Sequence, residues 1–205
     1  DISVPGSAGS ESIAIATTNS APTGLDFATA ATVYGVEYHT AADFLADGLT
    51  MSFSASTDDN SAGTSTYAVD GHVALGGTYV TSLGDSAVTV GFGYSQTEGK
   101  KTGDQITNDE GGVHLGISAV TGDLTVAFGV ASGSSVEATL QNDDAEYASA
   151  GAKYVSGDLT FNVGFASGSS KDGTIAAAKA TTEDSEDTVS ASVTYAVASG
   201  VTAVL

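Results

Sequence analysis

Large apolar and small polar residues alternate along this chain with a period of two, in units that each begin at a glycine turn. The units are DGLTMSFSAS (47–56), GDSAVTVGFGYS (84–95), GDLTVAFGVASGSS (122–135), GDLTFNVGFASGSS (157–170) and SGVTAVL (199–205). Their turn glycines are Gly48, Gly84, Gly122, Gly157 and Gly200, spaced 36, 38, 35 and 43 residues apart. After Gly157, one side of the pleat holds Leu159, Phe161, Val163 and Phe165, and the other holds Thr160, Asn162, Gly164 and Ala166. Leu124, Val126, Phe128 and Val130 repeat the split, as do Leu49, Met51 and Phe53. Segments entering the turns obey it too: Val113, Leu115 and Ile117 oppose His114, Gly116 and Ser118. The pattern predicts long antiparallel strands with one large apolar face and one small polar face.

A soluble sandwich would also alternate, with one face on a core and the other in water. Connection lengths argue for a different solution. Tight Gly-Asp or Ser-Gly turns lie at one end of the strands, and long polar segments such as 58–65, 97–110, 136–146 and 171–187 lie at the other. Short turns on one rim and long loops on the other are the pattern of a membrane-spanning barrel. Tyr79, Tyr154 and Tyr195 precede short turns, while Tyr67, Tyr94 and Tyr147 lie toward the long loops. Two such sets read as aromatic girdles at the two membrane interfaces, although tyrosine also suits strands in general. Backbone groups in hydrocarbon must be paired within the protein, so a spanning sheet has to close into a barrel. A lumen lined by Gly, Ala, Ser and Thr would be wide and wet.

Charge narrows the function. Among 205 residues there are 25 acids, five Lys and no Arg, a net charge of −20 that repels nucleic acid. The absence of Cys excludes disulfides, thiolate metal sites and Cys nucleophiles. No apolar run is long enough for a membrane helix, and the start at Asp1 suits a mature chain freed of a signal peptide. The three His match no zinc spacing, and no serine sits in a nucleophile elbow, so no enzyme activity is expected. By alternation Asp70, His72, His114 and Lys153 point inward, toward channel water, where charged groups bias ion passage. The surplus of acids favours cations. Two acidic runs, with Asp143, Asp144 and Glu146 in one and Glu183, Asp184, Glu186 and Asp187 in the other, could hold Ca²⁺, the one cofactor in view, or remain solvated loops.

In its ordered succession of strands the chain resembles the general diffusion porins of alphaproteobacteria, whose best-known members come from purple photosynthetic bacteria. DISVPG (1–6), SIAIATTNSAPTGLDFATAATV (12–33) and VEYHTAADFLADGLTMSFSAST (36–57) carry the likeness, and the hairpins from Tyr67 to Leu205 fit the rest. The resemblance implies a Gram-negative outer-membrane location, contacts with outer-membrane lipid and lipopolysaccharide, a homotrimer, and a channel for passive diffusion of small hydrophilic solutes and ions. Such barrels have about 16 strands, of which about twelve are expected here. Segments are expected to be missing near 6–12, near 31–36 and after Leu205, including the inward loop that narrows the pore. The Arg cluster of the family's pore wall has no counterpart. The expectation is therefore an all-β transmembrane antiparallel β-barrel, one domain over 1–205, acting as a cation-preferring porin. The alternative is a secreted acidic all-β adhesin or surface-layer module that binds calcium.

Overall fold

In the computed structural model the described residues are 35–41, 43–57, 69–99, 101–102, 105–106, 109–136, 142–173, 182–199 and 201–204. They form strands β1 (Gly35–His39), β2 (Leu49–Thr57), β3 (Val69–Leu83), β4 (Ser86–Gly99), β5 (Lys101–Thr102), β6 (Gln105–Ile106), β7 (Asp109–Thr121), β8 (Leu124–Val136), β9 (Asn142–Ser156), β10 (Leu159–Gly173), β11 (Thr182–Ala198) and β12 (Val201–Val204). Ten of the twelve make one antiparallel meander in which every strand pairs with its chain neighbour, and β5 and β6 make a small hairpin of their own between β4 and β7. Twelve strands are thus present among the described residues, but two belong to a loop. The N-terminal strands expected before position 34, Tyr67 and the expected gap at 6–12 lie outside the described residues.

The glycine turns form for a local reason. Leu83 pairs with Ser86, Thr121 with Leu124 and Ser156 with Leu159, leaving two-residue loops of Gly-Asp. Gly84, Gly122 and Gly157 have φ of 62, 55 and 58°, with the following Asp at negative φ. A positive φ at the first loop residue only is the signature of a type II′ turn, whose twist matches that of the strands. Gly48 behaves differently from the sequence expectation of a tight turn. It closes a nine-residue connection between β1 and β2. Asp43, itself left-handed at φ 65°, accepts a 2.5 Å hydrogen bond from the Gly48 amide, and the Val80 amide donates to the Gly48 carbonyl at 2.8 Å.

The register assigns the faces. Apart from Gly77, every buried residue of the described sheet, including Ser54, His72, Ala74, Ser118, Thr125 and Ala127, lies on the small-residue side. On the opposite side Phe53, Leu75, Leu115, Phe128 and Phe165 remain 42–51% exposed. No second sheet covers these apolar groups among the described residues, so the outward face is not half of a sandwich core. Gly77 sits on this face between Met51 and Phe92, and a Cβ there would stand 2.7 Å from the Met51 Sδ, 2.7 Å from the Phe92 ring and 3.0 Å from the Thr50 carbonyl. The ring and thioether fill the space a side chain would take. Gly77→Ala is expected to cost about 1–3 kcal/mol by overpacking, read as a lower denaturant midpoint; an unchanged midpoint would mean that the Phe92 ring is not seated there.

Candidate functional site

The apolar face carries a band that runs obliquely across the sheet. Toward the long loops, its last apolar members are Val73 on β3, Tyr94 on β4, Val113 on β7, Val130 on β8, Ala148 on β9, Phe165 on β10 and Val189 on β11, each followed outward by Gly, Gln, Ser, Glu or Asp. Tyr94 pairs with Leu75 and Val113, Val130 with Ala148, and Phe165 with Val189. The edge therefore shifts by one outward position, two residues, for every two strands.

Tyrosines trace the other edge with the same slope. Tyr79 is level in the ladder with Ala150 and Val189. Tyr154 lies four residues beyond Ala150 and four strands from Tyr79; Tyr195 lies six residues beyond Val189 and six strands away. A slope of one residue per strand, about 3.3 Å of rise for about 4.8 Å of lateral step, corresponds to strands tilted by about 35° to the normal of the band. Barrel strands tilt by about 35–45°. On β10 the band spans seven residues, Leu159–Phe165, and on β11 nine, Val189–Val197, one outward position past Tyr195, at and below the lower end of the about 9–11 residues with which a tilted strand crosses a bilayer.

Four of the six girdle tyrosines, Tyr79, Tyr94, Tyr154 and Tyr195, stand on this outward face, 38–48% exposed. Tyr94 donates to Gln96 just past the band. Tyr147 is a correction: it pairs with Ala131 and Gly168 on the inward side and belongs to no girdle. Its separation from Tyr154 is seven residues, an odd number, and that parity was readable in the sequence. Tyr38, pairing with Phe53 on the outward face, is a further aromatic of the band that sequence reasoning missed.

The inward residues do not gather at one point. Asp70 lies on β3, two residues from His72. His72 is 5% exposed, with Nδ1 2.9 Å from Thr97 Oγ1, so it is packed into the wall instead of open to channel water. His114 on β7 is half-buried and lies over Gly93 on β4, whose missing Cβ makes room for the ring. Lys153 pairs with Thr125 and Asn162 near the short-turn end. Asn162 donates to Ser192 Oγ at 3.2 Å. His39, at the inward side of β1, holds Glu37 at 2.9 Å through Nε2 and Ser52 at 2.8 Å through Nδ1.

The acids considered for calcium are divided by the sheet. Asp144, Glu146 and Asp187 fall on the outward side and Glu186 on the inward side, while the side chains of Asp143, Glu183 and Asp184 lie outside the described ones. β10 separates the two runs, and Lys171 stands between Asp144 and Glu183 in the ladder. Among the described residues, no group of three His or acids is placed to hold a metal ion.

A family model described as Gram-negative porin matches residues 2–205. No curated protein and no solved structure matches the chain.

Proposed function

Because the chain belongs to the Gram-negative porin family, and is therefore a channel-forming β-barrel of the outer membrane, we propose that it lets small hydrophilic solutes and ions diffuse passively, with a preference for cations. The observation that carries this reading is the oblique apolar band. It gives the sheet a lipid-facing side with the tilt of a barrel wall, and it leaves to the lumen the side made of Gly, Ala, Ser and Thr. Sieving by such a lumen needs neither a reaction nor a cofactor.

Cation preference follows from charge. On the inward side of the ten-stranded sheet, Lys153 is the one lysine among the described residues, against Glu37, Glu186 and the other acids of a chain with net charge −20. A field of that sign concentrates cations in the lumen. We further propose, on the resemblance to the alphaproteobacterial porins, a homotrimer in contact with lipopolysaccharide. Glu146 and Asp187, on the outward face just beyond the band, stand at headgroup level, where Ca²⁺ could bridge them to anionic lipid.

Planar-bilayer recording tests the reading. Purified, unboiled protein is expected to show heat-modifiable gel mobility and ohmic conductance steps, and a KCl gradient should give a reversal potential of the cation sign. Absence of both the mobility shift and the steps would end the channel reading. A reversal potential of the anion sign would end the cation preference alone.

A further inference from the structure

On the inward face one ladder row carries four large polar side chains of the described wall, His39, His114, Tyr147 and Glu186. From His39 the pairing runs through Ser52, Gly76 and Gly93 to His114. It continues through Ala131 to Tyr147 and through Gly168 to Glu186. From β7 onward, strands with a large side chain alternate with strands carrying Ala or Gly, a lateral spacing of about 9–10 Å between the large groups. The next row toward the short turns, from Thr50 through Gly116 to Thr188, holds nothing larger than Thr.

Since the apolar band is oblique to the ladder, this row changes level as it crosses the wall. Glu186 lies three residues outside Val189, the band's edge on its strand; Tyr147 lies one residue outside Ala148; His114 lies one residue inside Val113. The row then descends toward His39, beside the connection at the short-turn end. It begins at a carboxylate outside the membrane, passes a phenol and an imidazole, and ends at the Glu37–His39 pair.

Building on the channel reading above, we propose that His39, His114, Tyr147 and Glu186 form the track along which small cations cross the lumen. Glu186 draws a cation to the outer mouth, the Tyr147 oxygen below replaces part of its hydration as it passes toward the His114 ring, and at the inner end the Glu37 carboxylate, held by His39, receives it. The small residues between the steps keep the track open. Gly93 does this most directly, because the His114 ring lies along the wall over it.

The chain contains no Cys, so single cysteines need no background removed. His114→Cys, Tyr147→Cys and Glu186→Cys would be compared with Ser149→Cys and Thr188→Cys, two residues away on β9 and β11 in the row of small residues. Each folded variant, verified by heat-modifiable mobility, is recorded in KCl before and after a membrane-impermeant trimethylammonium thiol reagent. Adding a fixed positive charge on the track is expected to lower the conductance roughly twofold or more, with a much smaller loss at Ser149→Cys and Thr188→Cys. Equal losses in both rows, or none on the track, would overturn the proposal while leaving the channel reading in place. If the unmodified wild-type chain shows no conductance steps, it is the channel reading itself that falls.

Discussion

Phe128→Arg is expected to destabilise the folded barrel by about 2–4 kcal/mol, the cost of a charged side chain on the lipid face near the bilayer midplane. Phe128 is 47% exposed on the outward face of β8, inside the band that runs from Leu124 to Val130 on that strand. Its ring meets hydrocarbon in the membrane, and an arginine there must distort the bilayer or reach for the interface. Ser132→Arg, on the same face of the same strand but outside the band, should cost about 0–1 kcal/mol because its side chain is already among headgroups or water. Guanidinium unfolding of the protein in lipid vesicles, followed by the gel shift of the folded form, compares the two.

A second pair tests the obliqueness. Leu75 and Ser132 share one ladder row, through Tyr94 and Val113. If the membrane lay along the ladder, Leu75→Arg and Ser132→Arg would cost alike. With strands tilted by about 35°, the row passes from lipid on β3 to water on β8, and only Leu75→Arg should be expensive. Equal costs would contradict the tilt.

The second large effect is expected at Gly48. Its φ is +78°, and a Cβ there would collide with the carbonyl oxygen of Val80, a backbone atom of β3 that cannot swing aside. Gly48→Ala therefore adds a steric conflict to the roughly 1–2 kcal/mol that a left-handed conformation costs an L-residue. The conflict is relieved only by moving the β1–β2 connection off β3, which breaks the 2.8 Å bond from the Val80 amide to Gly48. Gly84→Ala is the matched comparison, with a similar φ of 62° and open space around its Cβ. Melting temperatures should fall clearly further for Gly48→Ala than for Gly84→Ala. Similar decreases would mean that only the φ matters at Gly48 and that the contact with β3 is not made.

Much of the wall was legible in the sequence because the signals are local. The Gly-Asp pairs at 84–85, 122–123 and 157–158 specify tight turns by themselves. Period-two alternation sorted Phe161, Val163 and Phe165 from Asn162 and Gly164 without reference to any partner strand. The same rule placed Tyr147 inward, and grouping it with the girdle came from giving its position near a loop more weight than its parity. His72 is legible as inward but not as buried, since that depends on Thr97 of the neighbouring strand, whose Oγ1 lies 2.9 Å from its Nδ1. The local sequence around Gly48 predicts a tight turn, because the closing bonds of the longer connection, to β2 and β3, lie beyond it.

By itself, then, the sequence determined that the chain is all-β, where its tight turns fall, and which residues share a face, since a strand's pleat is set by its own backbone. Only the tertiary structure decided the level of each residue in the membrane. Level depends on the stagger between strands, and stagger is a property of paired strands that no single strand encodes. That stagger placed Tyr79, Tyr154 and Tyr195 on one slanted line, and it brought four polar residues far apart in the sequence into a single descending row.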